Sequence, residues 1–149
     1  MLDWLFSDPL PRGAEAPDFT IPDQNSTPWS LSSKRGEPVL LVFYPGDNTP
    51  GCTRQLCEIR DHSADWTRYD VQIAGISPQS SKSHQEFISK YGFGFPLLAD
   101  AGQRVATLYH CNGLFIRRTV YLVGKDGRIL HSERGMPTTK QILQSAGLL

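Results

Sequence analysis

The chain has too few cysteines to be held together by them. Three in 149 residues, an odd number, do not make the paired disulfide framework that small secreted domains depend on. Any bridge in a reducing compartment is then expected to be transient and redox-active. The same scarcity argues against zinc: there is no second Cys pair, and His62, His84, His110 and His131 show no paired spacing. An excess of one charge is missing too. Fifteen basic and 15 acidic side chains cancel, and Arg117-Arg118 and Lys34-Arg35 are isolated pairs, so no nucleic-acid or anionic-membrane partner is expected. No apolar run approaches the roughly 20 residues of a membrane helix. The opening MLDWLFSDPLPRGAEAP carries Asp3 and Asp8, lacks an early Lys or Arg, and is broken by Pro9 and Pro11, which is not the pattern of a signal peptide. A soluble, cytoplasmic protein is therefore expected. Internal repeats and low-complexity segments are absent as well.

The length suits one domain able to bury a core without staples. Residues 1–15 read as a Pro- and Gly-rich N-terminal arm, with Leu2, Trp4, Leu5 and Phe6 as its apolar part, and residues 16–149 as a single domain. Asp18 to Ile21 and Trp29 to Leu31 flank the turn-rich PDQNSTP, which predicts a hairpin at the sheet edge. VLLVFY, residues 39–44, is a continuous apolar run bounded by Pro38 and by Pro45-Gly46, as a central strand should be. A helix follows, with Cys52, Leu56, Ile59, Ser63 and Trp66 along one face. Residues 71–77 (VQIAGIS) read as a second buried strand, and residues 81–91 as a polar-faced helix stopped by Gly92. A short strand over 96–99 and a short helix over 104–110 come next. Residues 119–123 and 128–131 read as a hairpin, and 138–146 as a closing helix stopped by Gly147. This order predicts an α/β domain of thioredoxin-like fold, a central mixed β-sheet flanked by helices, with an N-terminal β-hairpin extension.

The segment TPGCTRQLC, residues 49–57, places two of the cysteines five positions apart at the start of the first helix. Thr49 is a good N-cap and Pro50 sits at the first helical position, where proline is favoured. Cys52 is then the third helical residue, and the unpaired backbone N–H groups and the positive end of the helix dipole favour its thiolate. The Thr49 hydroxyl is near enough to bond either the first turn or the sulfur itself. A thiolate on a first helical turn is a nucleophile. Residues five apart on an intact helix have Cα atoms roughly 8 to 9 Å from each other, on well-separated faces. A disulfide needs them within about 7 Å. A bridge between Cys52 and Cys57 therefore requires the first turns to unwind.

The stretch FYPGDNTPGCTRQLCEIRD, residues 43–61, resembles the active-site segment of the peroxiredoxins, with their Pro-x-x-x-Thr-x-x-Cys signature at Pro45, Thr49 and Cys52. The second cysteine five residues on resembles the bacterioferritin comigratory protein, or peroxiredoxin Q, subfamily. APDFTIPDQN, FPLLAD and the hairpin with Lys125-Asp126-Gly127 are similar too, so the resemblance covers nearly the whole chain after residue 15. Tyr121-Leu122-Val123-Gly124 stands where Phe-Leu-Ile-Asp is more usual, and HCNGLFIRR is altered or shorter.

The resemblance implies a thiol peroxidase that reduces hydrogen peroxide and organic hydroperoxides without metal, haem or flavin. It implies attack by Cys52, resolution by Cys57 and recycling by thioredoxin or a similar dithiol donor, in a monomer or weak homodimer. It also implies a catalytic arginine just before the hairpin's first strand, which by its distance from Asp126-Gly127 is Arg118 and not Arg117, and a shielding role for Pro45. Arg54, Arg60, Gln55 and Glu58 are expected to be solvated helix residues, and Cys111 a packing thiol. Two other readings remain open from the residues alone. One is a peroxide-sensing redox switch or chaperone-like module using the same unwinding. The other is a thiol-disulfide oxidoreductase on the same fold, although that chemistry usually uses Cys-x-x-Cys.

Overall fold

The computed structural model describes residues 7–149; the apolar residues Leu2, Trp4, Leu5 and Phe6 of the arm lie outside the described residues. Strands β1 (Thr20–Pro22) and β2 (Pro28–Ser30) form a separate antiparallel hairpin. The main sheet contains β3 (Val39–Phe43), β4 (Gln72–Ser77), β5 (Leu97–Ala99), β6 (Thr119–Val123) and β7 (Ile129–Arg134), in the order β5-β4-β3-β6-β7. It is mixed: β3 runs parallel to β4 and antiparallel to β6, and all five β3 residues are buried. A strand paired on both edges and covered on both faces has no solvated side, which is why VLLVF lacks polar alternation. The helices are α1 (Pro50–Asp61), α2 (Ser63–Arg68), α3 (Ser81–Tyr91), α4 (Arg104–Leu108) and α5 (Thr139–Ser145). This is the thioredoxin-like arrangement with an N-terminal hairpin that the sequence predicts.

The pleat of β3 divides the core in two. Val39, Leu41 and Phe43 face the hairpin and α4, packing with Phe19, Trp29, Val105, Tyr109, Cys111 and Tyr121. Leu40, Val42 and Tyr44 face the remaining helices, packing with Cys52, Leu56, Ile59, Trp66, Phe87, Ile142 and Leu143. Cys52 and Cys111 are thus on opposite sides of the sheet.

The first helix is shorter than its sequence pattern suggests. It stops at Asp61, and a second helix carries Trp66. The break lies at His62. Its ring Nδ1 sits 2.8 Å from the Glu58 carbonyl, the acceptor that its own backbone N–H would use in a continued helix, and that N–H turns to Ile59 O instead. Cys52, Leu56, Ile59 and Trp66 are buried as expected, but Ser63 is exposed. At the other end β7 continues past His131 to Arg134.

The described part of the arm is tied to the domain. Leu10 N donates to the Tyr121 hydroxyl at 2.9 Å, Ser132 Oγ donates to Leu10 O at 2.7 Å, and Glu15 forms an isolated bridge with Arg128.

Candidate active site

Four predicted site residues lie in or beside the turn from β3 into α1. Pro45 is half-buried at the end of β3, Thr49 is exposed at the helix N-cap, and Cys52 is fully buried in the first turn of α1. Arg118 arrives from the segment immediately before β6. Its carbonyl accepts a hydrogen bond from Gly135 N at 2.8 Å, so the β6–β7 hairpin holds its backbone.

The guanidinium reaches across to the helix. Arg118 Nη2 lies 3.4 Å from Cys52 Sγ, and Nη1 donates to Gln55 Oε1 at 2.8 Å. Gly51 makes room for it: a Cβ on that residue would lie 3.2 Å from Arg118 Nη2. A guanidinium therefore stands beside a sulfur on the first turn of α1. Arg117 points elsewhere, donating to Asn112 O, His110 O and the Ser7 hydroxyl. Of the two adjacent arginines, Arg118 is the one beside Cys52.

Thr49 departs from expectation. Its hydroxyl does not cap the helix; it donates to Gly46 O at 3.1 Å. Its backbone carbonyl still accepts the first helical bond, from Thr53 N at 2.9 Å.

Two residues expected to be solvated are not. Gln55 is only 4% exposed and holds Arg118, although its Nε2 has no partner. Glu58 is partly buried, and its carboxylate accepts from Thr139 N and from the Thr139 hydroxyl, the latter at 2.8 Å. Arg60 also differs: it is partly buried and donates to Tyr91 O at 2.5 Å, joining α1 to the end of α3. Arg54 is exposed as expected. Gln55 carried a readable signal. It is three residues after Cys52, about 60° from it around the helix and within the apolar face that includes Leu56 and Ile59.

The loop between β3 and α1 is anchored by a polar cluster that sequence reasoning did not find. Asp47 accepts from the Tyr44 hydroxyl at 2.6 Å and from Ser83 Oγ at 2.7 Å, and it meets His84 Nδ1 at 2.6 Å. His84 Nε2 donates to Leu98 O at 3.0 Å, so the imidazole bridges the loop to β5. The backbone N–H of Asp47 donates to Gln79 Oε1. Burial and the adjacent Asp47 carboxylate push the Tyr44 hydroxyl well above the ordinary tyrosine range, keeping it a hydrogen-bond donor. Asn48 adopts a left-handed φ of 59°, which asparagine tolerates, and its side chain accepts from Lys90 and the Tyr91 hydroxyl.

Cys57 lies two turns into α1, partly buried, and all three cysteines are free thiols. The structure does not bring Cys57 to Cys52. Cys111 is buried among aromatic side chains, and burial pushes its thiol far above the ordinary range.

Residues 12–132 match the model of the AhpC/TSA family. The chain is 36% identical over 145 residues to a chloroplastic peroxiredoxin Q of Sedum lineare, covering 90% of this chain and 78% of that protein. It is 33% identical over 142 residues to a putative peroxiredoxin of Mycobacterium tuberculosis, covering 89% and 90%. Among solved structures, peroxidoxin BcpB from Mycobacterium tuberculosis superposes with a TM-score of 0.83 at 29% identity, covering 92% of this chain and 94% of that one.

Proposed function

The chain belongs to the AhpC/TSA family as a peroxiredoxin of the Q type, a thiol-dependent peroxidase, and from that premise we propose that Cys52 meets the peroxide and Cys57 resolves the product. The observation that carries this reading is the Arg118 guanidinium placed 3.4 Å from Cys52 Sγ.

In the first step the Cys52 thiolate attacks the terminal peroxide oxygen in line with the O–O bond. The S–O bond forms as the O–O bond breaks, and the departing oxygen takes up a proton to become water or an alcohol. Cys52 is left as a sulfenic acid. The Arg118 guanidinium stabilises both the thiolate and the negative charge that builds on the departing oxygen. The Thr49 hydroxyl commits its hydrogen to Gly46 O, which leaves its lone pairs to accept the O–H of an incoming hydroperoxide. Pro45, between the end of β3 and this loop, limits the approach of water to the sulfur.

In the second step the Cys57 thiolate attacks the Cys52 sulfur. The S–S bond forms, the S–O bond breaks, and the hydroxide leaves as water. The separation of the two thiols on an intact helix requires the first turns of α1 to open first. A dithiol donor such as thioredoxin then returns two electrons and restores both thiols. Hydrogen peroxide and organic hydroperoxides are the proposed substrates, and a cytoplasm that keeps such a donor reduced is the proposed location. The site draws Pro45, Thr49, Cys52, Cys57 and Arg118 from one chain, which supports a working unit no larger than a monomer or weak homodimer. We likewise take residues 1–15 as an arm on one catalytic domain, 16–149.

The test is peroxide consumption with thioredoxin and its reductase. Cys52→Ser is expected to abolish it, and sustained turnover by that variant would refute the assignment. Cys57→Ser is expected to complete one turnover and then stall at the sulfenic acid or proceed to the sulfinic acid.

A further inference from the structure

We propose that Glu58 is a positioning residue for the resolving step: clamped onto the start of α5, its side chain holds the Cys57 turn of α1 in helical form and thereby sets the rate at which Cys57 reaches Cys52. The proposal rests on the reading of Cys57 as the resolving thiol.

Glu58 directly follows Cys57. Its carboxylate oxygens lie 3.1 and 3.2 Å from Thr139 N, and Oε1 accepts from the Thr139 hydroxyl at 2.8 Å. A further contact, at 3.1 Å from Oε2, comes from His62 Nδ1. Thr139 is only 1% exposed, so the clamp fastens α1 to a fixed point of the core. Around it, Cys57 packs against the same buried cluster as Ile142 and Leu143 of α5.

Opening the helix between the cysteines displaces residues 53–56. Their carbonyls are the helical acceptors for the N–H groups of residues 57–60. Whichever cysteine travels, the Cys57 turn loses its backbone support, and its side-chain fastenings are then Arg60 to Tyr91 O and, next to Cys57 itself, Glu58 to Thr139. Cys57 then leaves its place only as that carboxylate comes off Thr139. At the other end, Cys52 and Gln55 are both held by Arg118, which favours movement of the Cys57 side.

The start of α5 does not rely on the clamp alone. Helix α5 has its own capping box, in which Gln141 N donates to Thr138 Oγ1 at 3.2 Å and Thr138 N donates to Gln141 Oε1 at 2.9 Å. Glu58→Ala should therefore fold. Glu58→Gln and Thr139→Val weaken the same clamp and provide the comparison if it does not.

The experiment mixes fully reduced protein with one equivalent of hydrogen peroxide. It follows peroxide loss and formation of the Cys52–Cys57 bridge separately, by rapid quenching and peptide mapping, and then measures Cys52 sulfinic acid after excess peroxide. Bridge formation in Glu58→Ala is expected to be about tenfold faster, the weight of one charge-assisted hydrogen bond of ordinary strength. Peroxide loss should be unchanged and the sulfinic acid yield lower. Thr139→Val should give a smaller acceleration that does not add to that of Glu58→Ala. Bridge formation at the wild-type rate, or slower, in every variant overturns this inference and leaves the Cys57 reading intact. Failure of the wild-type protein to form the Cys52–Cys57 bridge overturns both.

Discussion

Arg118 and Gln55 are joined by a hydrogen bond of 2.8 Å from Nη1 to Oε1, and this bond aims the other terminal nitrogen, Nη2, at Cys52 Sγ. A guanidinium on a flexible stem has many rotamers, and a buried amide one helical turn from the sulfur selects one of them. Gln55→Leu should leave the charge in place but release its aim. The second-order rate of Cys52 oxidation by hydrogen peroxide is expected to fall about tenfold, or ~1.4 kcal/mol of barrier. Stability should hold or rise slightly, because the change also removes Nε2, a buried donor without a partner. Stopped-flow oxidation and urea unfolding measure the two effects; a parallel loss of rate and stability would contradict the aiming role.

Gly51 gives a prediction in which stability and activity move in opposite directions. An added Cβ would stand 3.2 Å from Arg118 Nη2, close enough that the guanidinium must shift away from the helix start. Alanine is also the better helix former, by roughly 0.5 to 1 kcal/mol. Gly51→Ala is expected to unfold at a slightly higher urea concentration while its peroxide rate drops severalfold. An unchanged peroxide rate would mean that Arg118 yields without consequence.

The proposed site residues can be read in two ways. Thr49, Pro50 and Cys52 announce a helix start by residue type and order, whereas Arg118 is reached through the resemblance to the peroxiredoxins together with its distance from a hairpin turn. Strands β3, β4 and β6 were legible because their apolar runs are long and cleanly bounded. The residues that aim and anchor these groups were hidden because they are polar side chains buried by tertiary contacts. Glu58 meets Thr139 across 81 positions, and His84 meets Asp47 across 37. Only Gln55 could have been found, from its place on the apolar face of α1. The end of that helix was misread because the apolar period continues through Trp66, whereas the break comes from a side-chain bond at His62.

Cys111 is as buried as Cys52, but its thiol donates to Ala106 O at 3.6 Å whereas Cys52 Sγ faces the Arg118 guanidinium at 3.4 Å. The sheet lies between Cys111 and Cys52, and burial, partly opposed by Arg134 and Arg117, raises the Cys111 pKa far above the ordinary thiol range. Cys111→Ala should therefore retain full turnover, and native Cys111 should resist iodoacetamide until the protein unfolds. The pH dependence follows from the sign of the shift. The folded chain keeps this proton above the ordinary thiol pKa while the unfolded chain releases it, so the associated stability is complete below about 8.5 and declines as pH rises beyond it. The decline is at most about 1.4 kcal/mol per pH unit. Urea midpoints at neutral and alkaline pH should diverge less in Cys111→Ala than in the wild type; equal divergence would show that the buried tyrosines, not this thiol, carry the alkaline loss.

The Asp47–His84 pair should dominate the stability of the β3–α1 loop. The side chains are 3% and 0% exposed, and Asp47 is the shared acceptor for the Tyr44 and Ser83 hydroxyls as well. Asp47→Ala leaves the Tyr44 and Ser83 hydroxyls and the His84 ring without their shared acceptor. Leaving a buried hydrogen-bonding group unsatisfied costs about 1 to 3 kcal/mol. The same substitution frees Gly46, whose carbonyl orients the Thr49 hydroxyl, from the anchor beside it, so the peroxide rate should fall along with stability. Asp47→Asn keeps an acceptor oxygen for one hydroxyl and should fall between wild type and alanine in both measurements. If His84→Asn alone costs as much stability as Asp47→Ala and the double variant costs no more than either, the two side chains act as one unit; additive costs would place the anchoring in Ser83 and Tyr44 instead.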